Sequence, residues 1–190
     1  MPLASTALPL GTVAPNFALL DTVSDQIVSL QDVTSNRATV IMFLCNHCPY
    51  VRHILDELVQ VANEYQQKGM RFVGISANDA TSSPQDGLQQ MRELAKEHGF
   101  PFPYLYDQTQ QVARNYQAVC TPEFYVFDRN MRLAYHGQFD DARPKSNMPV
   151  TGHDLRQALD TLLTGQPVAA DQKPGIGCGI KWKTPLEAVD

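Results

Sequence analysis

The sequence predicts an α/β domain, a mixed central sheet flanked by helices, on three observations. The run Ala38-Thr39-Val40-Ile41-Met42-Phe43-Leu44 is apolar, β-branched and free of charge. Such a run fits a strand covered on both faces. Ile54, Leu55, Leu58, Val61, Ala62 and Tyr65 follow at helical spacing, and Gly69 closes the pattern. Strand and helix patterns then keep alternating almost to the end of the chain.

Between that strand and that helix lies Cys45-Asn46-His47-Cys48-Pro49. Backbone N–H groups at a helix start lack partners, and the helix dipole there favours negative charge. A thiolate at that point is stabilised, so its pKa falls below that of a free cysteine. Two cysteines separated by two residues can close and reopen a disulfide with little movement elsewhere. His47, between them, would favour the thiolate further. Cys45, nearer the loop, is expected to attack, and Cys48, one turn deeper, to resolve. With Cys48 as N-cap, Pro49 takes the favoured first helical position. With Cys45 as N-cap, Pro49 costs the first turn a hydrogen bond, and the sequence leaves both open. A zinc site would need a second ligand pair, and Cys120 and Cys178 are each alone, so no metal is expected.

Composition narrows the class. A chain of 190 residues, 43% hydrophobic and 18% charged, suits one domain with a sizeable core. A net charge of -5 without a Lys/Arg cluster argues against a nucleic-acid partner. No apolar run approaches transmembrane length, so no membrane partner is expected. Met1–Thr6 carries no positive charge of the kind that opens a signal peptide. Four cysteines in a chain this long do not make a disulfide scaffold, which points to a reduced, cytoplasmic setting. The expected organisation is a domain over residues 1–165 and a Gly/Pro-rich tail over 166–190.

Taken in order, residues 1–13 look extended or loose. Residues 14–20 and 26–30 suggest an edge hairpin. The central strand and its helix occupy about 38–44 and 49–67. Residues 70–76 form the next strand through a βαβ crossover. Ser83-Pro84 matches N-cap and first position of a helix with Leu88, Met91, Leu94 and Ala95 buried, stopped by Gly99. Tyr104–Tyr106 is a short strand, and Asp107 with Gln110 has capping-box spacing for a short helix. Residues 124–127 and 131–136 form a hairpin. Thr151 is the expected cap of a last helix carrying Leu155, Ala158, Leu159, Leu162 and Leu163, ended by Gly165. The tail stretch Gly175-Ile176-Gly177-Cys178-Gly179-Ile180-Lys181-Trp182-Lys183 has no period. It could bring a resolving cysteine to the active site or form a flap over it, or it could simply cover a hydrophobic patch with Cys178 incidental.

This order, with C-x-x-C after the first core strand, resembles the thioredoxin-like three-layer fold. The N-terminal hairpin and the β-α insert resemble its redoxin (AhpC/TSA-like) branch, which holds peroxiredoxins and thioredoxin-like reductases. Ala14-Pro15-Asn16-Phe17 with Leu19 and Asp21 is similar to that branch's opening A-P-x-F-x-L-x-D. The C-N-H-C-P-Y-V stretch and the late glycine-cysteine segment resemble an uncharacterised peroxiredoxin-like subgroup. The resemblance covers roughly residues 11–165. It implies that Thr121-Pro122 is a cis bond beside the cysteines, turning the Thr121 main chain towards them, ready to pair with an extended substrate. Without the resemblance, Pro122 would be an ordinary proline at a strand start. Cys120 is then either a third redox sulfur or a buried small residue. Glu123 is expected to be exposed, with a role as proton acceptor for the deeper cysteine as the alternative. The other histidines suggest no ligand set.

Catalytic candidates are therefore Cys45, Cys48, His47, Thr121 and Pro122, with Cys120 and Cys178 as possible extra redox sulfurs and no cofactor. The leading activity is thiol–disulfide exchange with protein or low-molecular-weight disulfides, coupled to a thiol reductant. The x-His-Cys form resembles disulfide isomerases and oxidases more than thioredoxin, implying a less reducing centre. Peroxide reduction is the alternative, but neither cysteine fits the peroxiredoxin pattern P-x-x-x-[ST]-x-x-C. Counting back from Cys45 gives Met42 and Ala38, and from Cys48 gives Cys45 and Ile41. A third alternative is a Cu(I) carrier using Cys45, Cys48 and Cys120.

Overall fold

The computed structural model describes residues 2–5 and 8–184. Met1, Thr6, Ala7 and residues 185–190, parts of the expected arm and tail, lie outside the described residues. The strands are β1 (Pro2–Ala4), β2 (Ala18–Asp21), β3 (Ile27–Ser29), β4 (Ala38–Phe43), β5 (Arg71–Ser76), β6 (Tyr104–Tyr106), β7 (Cys120–Thr121), β8 (Glu123–Asp128), β9 (Leu133–Tyr135) and β10 (Ile176–Gly179). The helices are α1 (Pro49–Gln67), α2 (Leu88–Glu97), α3 (Gln111–Asn115) and α4 (His153–Leu163).

Seven strands form the central sheet in the order β3-β2-β6-β5-β4-β8-β9. β4 pairs parallel with β5 and β5 with β6, while the outer pairs are antiparallel. Next to the middle strand β5 lies β4, with all six residues buried. Side chains alternate across a strand, so Val40 and Met42 face one core while Ile41 and Phe43 face the other. The first core takes the apolar stripes of α1, α2 and α4, including Leu55, Leu58, Met91, Leu155 and Leu159. The second takes Val112 and Ala113 of α3, with Tyr116, Tyr125 and Phe127. Two cores on either face of one sheet make the three layers of a thioredoxin-like fold. The charge-free character of β4 is the physical reason it can lie inside the sheet.

The periodic segments form where their spacing places them, and the departures lie at helix starts. Ser83 makes no side-chain cap bond. Pro84–Asp86 is a single 3-10 turn, and α2 begins after Gly87. Leu88, expected in the buried stripe, is exposed. Asp107 does serve α3, accepting the Ala113 N–H at 2.8 Å, but Gln110 makes no capping box. It takes a left-handed backbone (φ 64°), and its amide reaches Ala77 and Lys181 instead. Gly152, not Thr151, precedes α4, and the Thr151 and Gly152 N–H groups both donate to Asp140.

The largest departure is at the termini. Residues expected to be an arm and a tail join Cys120–Thr121 in a second, three-stranded antiparallel sheet in the order β1-β10-β7. Its register pairs Cys178 with Thr121 and Gly179 with Cys120. A strand of four residues shows no period that a sequence could display. Its glycines nevertheless have a reason, because a Cβ at Gly177 would lie 2.0 Å from the Thr121 carbonyl oxygen. Only glycine lets the two backbones approach so closely.

Candidate functional site

The C-x-x-C stretch leaves the end of β4 and enters α1. Cys48 is the N-cap, in extended conformation, and Pro49 is the first helical residue. That decides between the two helix starts that the sequence left open. β8 pairs with β4 in antiparallel register, opposing Phe43 to Glu123. This brings Thr121-Pro122, which is cis, against the cysteines. Thr121 touches both sulfurs. Its hydroxyl lies 3.1 Å from Cys45 Sγ and its carbonyl 3.2 Å from Cys48 Sγ. Both cysteines are buried, with 1% and 0% of their surface exposed.

The electrostatics of the pair differ from expectation. Cys48 is lowered to about 5, chiefly because the Cys45 thiol donates to it, while the Thr121 carbonyl, which accepts from its thiol at 3.2 Å, favours the protonated form. Burial also opposes the lowering, and the Cys178 thiol and the N–H groups of Val51 and Cys178 add to it. No side-chain bond of full geometry closes the α1 cap, yet the Val51 N–H faces the sulfur, as the helix-start argument requires. Cys45 is pushed up, first by donating to Cys48, then by burial and by the nearby Asp86 carboxylate, with the Thr121 hydroxyl opposing. The sequence argument placed the thiolate on Cys45 because it took that residue for the outer one. The N-cap position belongs to Cys48 instead, so the helix-start donors act there, and Cys45 is no more exposed than its neighbour.

His47 lies beside Cys45, a ring nitrogen within 4.8 Å of its sulfur, and is held there by a carboxylate. Its Nδ1 pairs with Asp86 Oδ2 at 2.5 Å. Asp86 is wholly buried and also accepts the Asn46 N–H at 2.7 Å and the Asn78 amide at 2.8 Å. Asn46 in turn accepts the Tyr104 hydroxyl at 3.0 Å. This network holds the loop between the cysteines. Ligand atoms of Cys45, His47 and Asp86 lie within 4.8 Å of one another, a spacing a metal ion could bridge. The donor set fits poorly, because the carboxylate already receives three donors and an ion would have to displace His47. Nothing in the polar stretch 78–86 marks Asp86, and sequence reasoning missed it.

Below the proline the structure corrects a second expectation. Glu123 is fully buried, not exposed. Its carboxylate meets His136 Nε2 at 2.8 Å, the Tyr125 hydroxyl at 3.1 Å, and the N–H groups of Val119 and Cys120 at 2.9 and 3.2 Å. The His136 ring stacks on Tyr125, with centroids 4.2 Å apart. A buried carboxylate tied to that many donors fixes the chain on both sides of Pro122. Cys120 is enclosed in this cluster, its thiol 3.8 Å from Glu123, and burial with the carboxylate pushes it up. Cys178, on β10, is the sulfur brought to Cys48. It packs with the core under α1, and burial and Cys48 push it up to about 12. His136 and the partners of Glu123 carry no spacing signal and were not legible in sequence.

Comparison with known proteins supplies the family. The AhpC/TSA family model matches residues 10–136. An uncharacterized conserved protein from Geobacillus kaustophilus is 53% identical, covering 98% of each chain with a TM-score of 0.96. A hypothetical protein from Sinorhizobium meliloti 1021 is 42% identical, covering 95% of this chain and 98% of its own, with a TM-score of 0.93. The thioredoxin domain of a thiol-disulfide oxidoreductase from Bacteroides vulgatus shares the fold at 17% identity, covering 80% of this chain and 99% of its own, with a TM-score of 0.61. None of the curated proteins matches the chain. The strand order, the two-faced core and the matched span lead to one conclusion: the chain belongs to the AhpC/TSA family and has a thioredoxin-like fold.

Proposed function

We propose that the protein is a thiol–disulfide oxidoreductase whose Cys45 and Cys48 cycle between dithiol and disulfide. The observation that carries this reading is the contact of both sulfurs with Thr121, one sulfur lowered and the other raised. Membership of the AhpC/TSA family supports a redox role. The Cys48 thiolate attacks one sulfur of a substrate disulfide and expels the other as a thiolate. A mixed disulfide remains. Cys45 then gives up its proton and attacks the Cys48 sulfur, expelling the second substrate thiolate. One substrate disulfide becomes two thiols, and the protein dithiol becomes a disulfide. An external thiol reductant restores the dithiol. Asp86, His47 and Asn46 hold the intervening loop, and the Thr121 hydroxyl can donate to Cys45 once it is anionic.

The family also supports peroxide reduction, in which Cys48 would become a sulfenic acid and Cys45 would resolve it. Against this stand Cys45 and Ile41, where the peroxiredoxin pattern counted back from Cys48 has a hydroxyl residue and proline. Two assays separate the readings: insulin-disulfide reduction driven by dithiothreitol, and hydrogen-peroxide consumption with the same reductant. Catalysed disulfide reduction with peroxide turnover at least about tenfold slower is the expected result. The opposite order would overturn the proposal. Metal analysis of protein purified without chelator, expected to find no stoichiometric copper, tests the carrier reading.

A further inference from the structure

The edge of β7, which the fold leaves beside the cysteines, is already paired. β10 occupies it in antiparallel register with Cys178 opposite Thr121, the residue whose carbonyl touches Cys48 Sγ. β10 is fastened on both sides. Before it, Ser5 and Gly175 exchange bonds of 2.8 and 2.9 Å. After it, the Ile180 N–H donates to Val119 at 3.0 Å and the Lys181 N–H to Asn78 at 2.8 Å. Gln110 then bonds Lys181 at 2.9 Å and Lys183 at 2.8 Å. With the close approach at Gly177, these contacts fix the register and so the place of the Cys178 sulfur. Of the four cysteines, Cys178 alone is partly exposed.

We propose that Cys178 is a third redox sulfur, which takes over the disulfide from Cys45 and carries it from the buried pair to the surface. This rests on the reading of Cys45 and Cys48 as a redox pair. The step needs no outside oxidant. Cys178 loses its proton and its thiolate attacks Cys48 Sγ. The Cys48–Cys178 bond forms as the Cys45–Cys48 bond breaks. Cys45 leaves as a thiolate and takes up a proton, so one disulfide replaces another and no electrons are gained or lost. Both groups are helped by the oxidised state. With Cys48 in a disulfide, its charge no longer holds the Cys178 proton in place, and Lys181 favours the Cys178 thiolate. Cys45 likewise loses its largest reason to stay protonated and keeps the Thr121 hydroxyl as donor. A small external thiol then attacks the Cys178 sulfur and expels Cys48 as a thiolate, and a second such thiol attacks the first one's sulfur and expels Cys178, so that the two external thiols leave as a disulfide. An extended protein segment could pair with Thr121 only where β10 had first unpaired.

The test is disulfide mapping by mass spectrometry on the full chain, treated with one equivalent of diamide and alkylated with N-ethylmaleimide. Wild type is expected to show both Cys45–Cys48 and Cys48–Cys178 linkages. Cys45→Ser should show Cys48–Cys178 alone. Cys178→Ser should show Cys45–Cys48 alone and be re-reduced by glutathione about tenfold more slowly. Formation of Cys45–Cys48 in wild type, with Cys178 fully alkylated there and in Cys45→Ser, would overturn the relay while leaving the pair intact. Absence of any linkage at Cys48 in wild type would instead overturn the reading on which the relay rests. The wild-type map decides the matter even where a variant fails to fold.

Discussion

Replacing Cys48 by serine is expected to lower disulfide exchange by about a thousandfold or more, as removal of a nucleophile does in a covalent mechanism. Cys48 is the one sulfur with a helix-start N–H and neighbouring thiols directed at it, and it is lowered to about 5. Its thiolate is therefore favoured over that of an ordinary cysteine, which is a few per cent ionised at neutral pH. A serine hydroxyl cannot replace that anion. Cys45→Ala is expected to behave differently. Cys48 loses its chief donor and attacks more slowly, with the Val51 N–H still facing it, but nothing in the C-x-x-C loop remains to resolve the mixed disulfide. Cys45→Ala combined with Cys178→Ala should therefore trap covalent complexes with disulfide substrates, visible by non-reducing gel and mass spectrometry. Rapid single-turnover kinetics on the variants measure the first effect directly. Full exchange rates in Cys48→Ser would contradict it, as would trapping by Cys48→Ala instead.

Removing the buried carboxylate is expected to be the most damaging change for stability. Glu123→Ala leaves His136, the Tyr125 hydroxyl and the N–H groups of Val119 and Cys120 without their shared acceptor. Deleting the shared acceptor of a buried cluster and leaving its donors unpaired costs about 3–5 kcal/mol. That is a large part of the stability of most single domains. Urea unfolding of the reduced proteins measures the difference, with the change read at constant slope. A loss below about 1 kcal/mol, the value of an ordinary net hydrogen bond, would show that the cluster is not what secures the chain around Pro122. The change should also disturb the cysteines, because the same segment presents Thr121 to both sulfurs.

Much of this architecture could be anticipated because it rests on periodic burial. The charge-free run 38–44 became the fully buried strand β4, and the stripe from Ile54 to Tyr65 became the buried face of α1. The place of the cysteine pair was legible for the same reason: both its position after a buried strand and its position at a helix start are local. Which cysteine is acidic was not legible. That depends on which residue is the N-cap, a difference of one turn that Pro49 allowed in either direction. Asp86, Glu123 and His136 were hidden because their meaning comes from partners far away in sequence. Asp86 joins residues 46, 47 and 78, and Glu123 joins 119, 120, 125 and 136. β10 was hidden by length. Four residues cannot show alternation, and the glycine that marks them answers to a carbonyl in another strand.

The acidity of Cys48 also makes stability depend on pH. Its pKa falls from an ordinary 9.0 to about 5 on folding, so its contribution is full above pH 9.0 and is lost as pH falls through about 5. The most direct measurement follows from the same shift: the rate of iodoacetamide alkylation of the reduced protein between pH 4 and pH 10, resolved to individual cysteines by mass spectrometry. The account predicts that Cys48 is modified first, with a midpoint of about 5, and Cys45 only in molecules where Cys48 is already modified. Modification of Cys45 first, or a Cys48 midpoint near 9.0, would contradict it.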